Sequence, residues 1–403
     1  MKSKRIAFVA DGRSPIALNW INYFIEHDYD VHLISTQPCD AIIKLKSLHI
    51  LSLLVDDFIP QYDQKRRVEI KREAEFQKTI KSLTSPALRS IIKHYLYPMQ
   101  VMRKAHQLSK ILQDIKPDLV HAMRIPYEGM LAALAIQQDK TPLLISVWGN
   151  DFTLHGNATP LMRKLTIETL KRADALHTDC QRDNMIAYQW GFDMQKPSVV
   201  LPGGGGIKTD VFFPNDDKRN AQWKTVINPR GFRAYVCNET FFKAVPLIKT
   251  ELPQVRFICT AMQGIKRAES WLEAFQATEY VELLPVLPPV EMAHQFQRAE
   301  ITVSLSTHDG TPNTLLEALA CGCFPIVGDL DSLREWIIHG ENGFLVNPLD
   351  EHEVAQTVIK AFGNDELLRH AKEKNLQLIR EKAEYYTIMK KVIDFYEEVM
   401  SSF

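Results

Sequence analysis

The stretch from Ile301 to Gly322 constrains this chain more than any other. Ile301 to Leu305 is apolar and β-branched, which reads as a strand buried in a parallel sheet. Turn formers follow: Asp309, Gly310, Pro312 and Asn313. Leu315, Leu316, Glu317, Ala318, Leu319 and Ala320 then favour a helix, and Gly322 stands where a C-terminal cap belongs. Strand, tight loop and helix in this order call for α/β organisation, with the loop at the carboxyl edge of a sheet. The free N–H groups and dipole of such a helix start favour an anion. Two carboxylates flank it, Asp309 before the helix and Glu317 within its first turns. An acid beside a phosphate site suits a ligand that also carries hydroxyls, such as a nucleotide-sugar. Taken alone, the loop is equally compatible with an ordinary crossover and solvated acids.

A chain of 403 residues is too long for one ordinary core, so two domains are expected. The 48 basic and 49 acidic side chains nearly cancel, which leaves no global pull towards nucleic acid. Six cysteines are scattered; only Cys321 and Cys323 are close, and their spacing is wrong for zinc. All six read as reduced thiols of a cytoplasmic protein. The apolar start, Ile6 to Ala10, is too short for a signal peptide, and no run is long enough to cross a bilayer.

Ile6 to Ala10, Ile16 to Glu26 and Asp30 to Ser35 form a strand–helix–strand unit of the doubly wound kind. Its turn holds Gly12, where backbone can approach a phosphate, and Arg13, a source of charge. The full dinucleotide fingerprint is absent. From Lys65 to Lys104 eleven Lys or Arg face three acids, interleaved with apolar residues. This stretch is a candidate contact with anionic membrane, although a solvated basic helix is the commoner outcome. Further strands are expected at 119–122, 142–147, 174–178 and 199–201. Arg124 to Gly129 follows the first of these, and Trp148-Gly149-Asn150-Asp151 the second. Gly203 to Gly206 mark a hinge between domains. The rhythm then restarts, with strands at 225–227, 254–259, 281–284, 301–305, 324–327 and 344–346. Helices are expected between them, one of them over Ser332 to His339, and a long terminal helix over about 383–400.

Asp309-Gly310-Thr311-Pro312-Asn313-Thr314-Leu315-Leu316-Glu317, with Ala318 to Gly322, Pro325-Ile326-Val327, Arg334-Glu335, Gly340 and Asn342-Gly343, resembles the C-terminal donor-binding motif of glycosyltransferase family 4. Pro202 with Gly206 to Pro214 resembles that family's interdomain stretch. The resemblance implies a retaining enzyme with the GT-B fold, two facing Rossmann-like doubly wound domains with an interdomain cleft. Residues 1–205, joined by about 383–403, would form the acceptor-binding domain, and 206–382 the nucleotide-sugar domain.

Carried over by position, Glu317 would hold ribose hydroxyls and Asp309 would sit beside the donor sugar. Gly310, Thr311, Asn313, Thr314 and Leu315 would contact donor hydroxyls and phosphate, with Gly12 and Arg13 assisting from the other domain. Arg230 would neutralise the diphosphate. The lysine usual after it is absent, and Arg233 is the candidate replacement. The histidine that often ends the N-terminal strand is Trp148 here, so Asp151 or His155 is the candidate for its role. The resemblance implies a nucleotide diphosphate sugar, linked to uridine or guanosine, as substrate. No cofactor and no metal are required. A glycan, a lipid-linked intermediate or a small molecule would accept the sugar, with no nucleic acid involved. A nucleotide-sugar epimerase, a phosphorylase or a non-catalytic sugar-nucleotide binder remain as alternatives. The place of action expected is the cytoplasm, including the inner face of the membrane.

Overall fold

The computed structural model describes residues 3–40, 44–53, 97–136, 141–215, 217 and 223–403. The basic stretch is described only from 97 onward; residues 65–96 lie outside the described residues. The chain divides into two compact units, Met1–Thr178 with Asp183–Val200 and Val392–Phe403, and Asp179–Arg182 with Leu201–Lys391. The chain crosses from the first unit to the second between Val200 and Leu201. The short excursion of Asp179–Arg182 into the second unit has no sequence signal.

Among the described residues the first unit has seven parallel strands: β1 (Arg5–Ala10), β2 (Asp30–Ser35), β3 (Ser47–Ile50), β4 (Leu119–Met123), β5 (Leu143–Val147), β6 (Ala175–Thr178) and β7 (Ser198–Val200). Their order is β3-β2-β1-β4-β5-β6-β7. The helices around it are α1 (Pro15–Glu26), α2 (Tyr97–Ile115), α3 (Met130–Ala135), α4 (Pro160–Arg172) and α5 (Gln181–Gln189). Ser14 and Thr159 cap α1 and α4 through their hydroxyls, each with a proline at the first helical position. β1, β4 and β5 are buried almost throughout, as strands covered on both faces must be.

Among the described residues the second unit has six parallel strands: β8 (Lys224–Asn228), β9 (Val255–Cys259), β10 (Val281–Leu283), β11 (Ile301–Ser304), β12 (Phe324–Gly328) and β13 (Phe344–Val346). Their order is β10-β9-β8-β11-β12-β13. Alternate residues enter different cores. Val226 and Phe257 pack on one face, while Ile227 and Ile258 pack on the other. The helices are α6 (Asn238–Glu251), α7 (Lys266–Ala274), α8 (Pro289–Arg298), α9 (Asn313–Ala320), α10 (Glu351–Phe362) and α11 (Asp365–Lys382). The terminal helix α12 (Tyr385–Ser401) begins in this unit and ends in the first. Gly322, just past α9, has φ +80°, the left-handed geometry that glycine supplies at a helix end.

The helix expected over Ser332 to His339 does not form; residues 331–336 are successive turns. Side-chain bonds to distant groups override the helical pattern here. Ser332 Oγ donates to the Asp309 carbonyl at 2.7 Å, and Trp336 Nε1 donates to Thr311 Oγ1 at 3.0 Å. Asn342 accepts from the Ile338 N–H at 2.7 Å and donates to the Trp336 carbonyl at 3.0 Å. Sequence periodicity carries no trace of these partners. All six cysteines are free thiols. Among the described residues no helix is long and apolar enough to cross a membrane.

Candidate functional site

In a doubly wound sheet, ligands bind outside the carboxyl ends of the strands, where the strand order reverses. In the second unit that reversal lies between β8 and β11. The loop after β8 brings Arg230, and the loop after β11 brings Asp309. Arg230 is placed by its own backbone: its N–H donates to Asn228 Oδ1 at 3.0 Å, and Asn228 is braced by Asn238 at 3.1 Å. The Arg230 side chain is only 4% exposed. Its Nη2 lies 2.9 Å from Asp309 Oδ2, yet that nitrogen is buried without a properly directed hydrogen bond. The contact is an ion pair by distance, and the guanidinium keeps a donor for something else. Ser306 Oγ also donates to Asp309 Oδ2, at 3.1 Å.

The helix that follows is left open at its start. Pro312 stands at the N-cap of α9 and offers no side-chain acceptor. The Leu315 and Leu316 N–H groups both reach the Pro312 carbonyl, at 3.0 and 3.3 Å. The N–H groups of Asn313 and Thr314 find no acceptor among the described residues. Thr314 Oγ1 is buried with no partner either. Uncapped N–H groups, an idle hydroxyl and an under-bonded guanidinium next to the same loop form an anion site. Gly204 comes so close that a Cβ there would sit 2.5 Å from Asn313 Nδ2. Gly206 in the same run is held more strictly, with φ +94° and a Cβ that would sit 2.6 Å from the Ala383 carbonyl.

The Glu317 carboxyl, in the middle of α9, has no hydrogen bond or ion pair among the described residues. Desolvation alone pushes its carboxyl up to about 7. A carboxyl withdrawn from water with no protein partner is costly, and such groups mark places where a ligand supplies the missing donors.

The loop before α9 is held rigidly by the outlying segment of the unit. Thr311 Oγ1 donates to the Asp179 carbonyl at 2.5 Å, and Arg182 Nη1 donates to the Asp309 carbonyl at 2.7 Å. Glu335 accepts the N–H groups of Gln181 and Arg182 at 2.9 and 3.1 Å. Asp179, Arg182, Ser332 and Trp336 were not legible as site residues. Only Glu335 carried a signal, as part of the motif.

The other expected residues divide. Gly310 and Thr311 are buried in the loop, and the Thr311 N–H is turned to Asp179 Oδ2 at 3.4 Å. Leu315 is a core side chain whose N–H is already used within the helix. Arg233 is exposed, with its Nη1 on the Tyr235 hydroxyl at 3.3 Å; it touches neither Arg230 nor Asp309.

In the first unit, the Gly12 N–H donates to Ser35 Oγ at 3.0 Å. A Cβ at Gly12 would meet Cys39 Sγ at 2.5 Å, so packing of this turn requires the glycine. Arg13 forms a two-pronged pair with Asp11, at 3.0 and 2.9 Å. Asp151 is fully buried; it accepts from Arg124 Nε at 2.8 Å and from the Trp148 N–H at 2.9 Å. Its carboxylate therefore ties together the loops after β4 and β5. The indole Nε1 of Trp148 is buried with no acceptor.

An α/β unit with an open helix tip, a buried guanidinium and a partnerless carboxyl at its strand reversal belongs with proteins that hold anions bearing hydroxyl groups. The comparisons with known proteins place the chain further. The family described as "Glycosyl transferase 4-like" matches residues 5–180, and "Glycosyl transferases group 1" matches residues 236–364. The chain belongs to the glycosyltransferases of the family 4 type, with the GT-B fold.

A "Putative glycosyltransferase EpsD" from Bacillus subtilis is 22% identical over 284 residues, covering 65% of this chain and 72% of that protein. Sucrose-phosphate synthase from Thermosynechococcus elongatus superposes with a TM-score of 0.76 at 12% identity, over 99% of this chain and 100% of that one. Anabaena HepE, solved in complex with UDP-glucose, superposes with a TM-score of 0.69 at 13% identity, over 98% and 99% of the two chains.

Proposed function

We propose that this enzyme moves a sugar from a nucleoside diphosphate sugar, linked to uridine or guanosine, to a hydroxyl acceptor with retention of configuration. The observation that supports this donor is the loop between β11 and α9. Arg230 Nη2 and Thr314 Oγ1 are buried without hydrogen-bond partners, and the helix tip is uncapped. A diphosphate fits these donors. Glu317 then accepts the ribose hydroxyls, which explains a desolvated carboxyl with no protein partner. HepE binds UDP-glucose on the same fold, which supports a nucleotide-sugar here.

Charge grows on the diphosphate as the sugar departs. Arg230 and the N–H groups of Asn313 and Thr314 meet that charge without a metal, because preformed donors need no reorganisation. Asp309 holds Arg230 in place and reaches the donor sugar. Retention follows if the acceptor hydroxyl attacks from the leaving-group face and gives its proton to the departing diphosphate. Similarity to an exopolysaccharide phosphotransferase from Streptomyces coelicolor, 34% identical over 113 residues and covering 12% of that protein, supports a role in polysaccharide synthesis.

The test is incubation with UDP- and GDP-linked sugars and candidate acceptors, following free nucleoside diphosphate and the donor itself. Acceptor-dependent release of diphosphate is the expected result. Conversion of the donor into an isomer makes the protein an epimerase. Binding without turnover makes it a sugar-nucleotide carrier.

A further inference from the structure

The loop that carries Asp309 is pinned by a segment far from it in sequence. Asp179–Arg182 belong to the second unit, although β6 before them and α5 from Asp183 onward belong to the first. The first N–H groups of α5, those of Gln181 and Arg182, are both taken by the Glu335 carboxylate at 2.9 and 3.1 Å. An acid at a helix start satisfies donors that the helix cannot pair itself. With its backbone fixed in this way, Arg182 sends Nη1 to the Asp309 carbonyl at 2.7 Å and to Ser332 Oγ at 3.2 Å. Ser332 Oγ donates to the same carbonyl at 2.7 Å. Both lone pairs of that oxygen are then in use, and the peptide it belongs to is fixed.

Asp309 is also held at the far end of its side chain, where Oδ2 accepts from Ser306 Oγ at 3.1 Å. It therefore meets Arg230 with little room to turn. The consequence is visible in the pair itself. Arg230 Nη2 lies 2.9 Å from Oδ2, close enough for a charge-assisted bond, yet no N–H of that nitrogen is aimed at the oxygen. Partners able to move at this distance would rotate into the directed bond, the stronger arrangement. The grip on the Asp309 main chain keeps them from it.

We propose that Arg182 is a positioning residue for the donor: by holding the Asp309 carbonyl it stops the Asp309 carboxylate from closing on Arg230, so the guanidinium stays open to the diphosphate. The inference rests on the glycosyl-transfer reading above and goes beyond it by giving the outlying segment of the second unit a task at the site.

The experiment is a double-mutant cycle on the full chain, read by calorimetry with UDP and with GDP. Neither probe carries a sugar, so a contact of Asp309 with the donor sugar does not enter. Arg182→Ala alone should weaken nucleotide binding about tenfold, the loss of one charge-assisted bond, because Asp309 then takes the Arg230 donor. In an Asp309→Ala background no carboxylate is left to take it, and the same substitution should change affinity by less than about twofold. Arg182→Lys should restore binding to within about threefold of wild type, since both bonds of Arg182 to the loop leave from one nitrogen and an ammonium can replace them. A residue that merely supports the loop would weaken binding equally in both backgrounds. If a variant does not fold, Ser332→Ala stands in for Arg182→Ala, and Arg230→Ala for Asp309→Ala, each removing a member of the same contact. Equal losses in the two backgrounds, no loss in either, or no recovery by a folded Arg182→Lys overturns the proposal. A wild type that binds neither nucleotide removes the donor reading, whereas one that binds but shows any of those outcomes removes only this inference.

Discussion

Replacing Glu317 by Gln should make the second unit more stable above neutral pH while weakening nucleotide binding. The folded carboxyl titrates at about 7, against about 4.5 ordinarily, and burial is the whole cause. The folded state therefore holds a proton that the unfolded chain releases. Stability is highest below pH 4.5, falls as pH rises towards 7, and is flat above. The full difference is about 3 kcal/mol, and partial exposure of the side chain reduces it to about 1–3 kcal/mol. Glutamine carries no charge at any pH. The variant should match wild type near pH 4.5 and exceed it by about 1–3 kcal/mol at pH 8. Urea unfolding of both proteins at the two pH values measures this, because every other titrating group cancels in the difference. Calorimetry with UDP reads the opposite effect. Loss of hydrogen bonds to a charged acceptor should weaken binding roughly 10- to 100-fold at pH 8. Wild-type affinity should also rise through pH 7 relative to the variant; the ligand's own phosphate titration is common to both and drops out. Equal stability at both pH values would refute the desolvation. A stability gain with unchanged UDP affinity would leave the buried carboxyl without the ribose as its reason.

Arg230→Ala should lower turnover by at least about 100-fold, the scale of removing one preorganised donor, and Arg230→Lys should recover little because Asp309 and the diphosphate need two separate nitrogens; steady-state release of nucleoside diphosphate checks both. Tyr396→Phe removes the hydrogen bond between the Tyr396 hydroxyl and His121 Nδ1, in a fully buried chain that continues through Ser146 Oγ to His177. It should cost about 1–3 kcal/mol by chemical unfolding, since His121 keeps a buried nitrogen without its partner. Gly328→Ala would place a Cβ 2.6 Å from the Ser306 carbonyl. It should push the loop carrying Asp309 outward, so that UDP affinity falls together with stability, read by calorimetry and thermal unfolding.

Sequence patterning located most strands because apolar β-branched runs bounded by turn formers have few other uses. The last strand, Phe344–Val346, came out with its observed limits. The edge strand Ser47–Ile50 escaped, being partly exposed and not apolar enough to stand out. Pro160–Arg172 and Gln181–Gln189 escaped because their polar residues outweigh a narrow buried stripe, although Thr159-Pro160 was a usable start signal. Among site residues, Arg230 and Asp309 were legible as family positions, and their contact was not, since 79 positions separate them. Nothing local could reveal that the Glu317 carboxyl lacks a partner among the described residues or that Arg124 reaches Asp151. Those are facts about neighbours brought by topology.

The two strand reversals, that between β8 and β11 and its counterpart between β1 and β4 in the first unit, separate by charge accounting. Each carries a carboxyl raised to about 7 by burial, Glu317 in one unit and Glu128 in the other. Burial of an acid alone therefore does not mark the phosphate site. The cations do. At the β8–β11 reversal, Arg230 keeps a buried nitrogen without a hydrogen bond, and α9 opens with two N–H groups unmet. At the β1–β4 reversal both arginines, Arg13 and Arg124, close on carboxylates through directed hydrogen bonds, whereas Arg230 meets Asp309 as an ion pair by distance alone. Among the described residues, the proposed diphosphate would gain charge-assisted bonds at the first, where these donors are unmet. Exchanging the pattern checks this: Asp11→Asn frees Arg13 and should give the first unit a weak affinity for inorganic phosphate that the wild type lacks. If the variant binds phosphate no better than wild type, Arg13 is not what keeps that edge closed to anions.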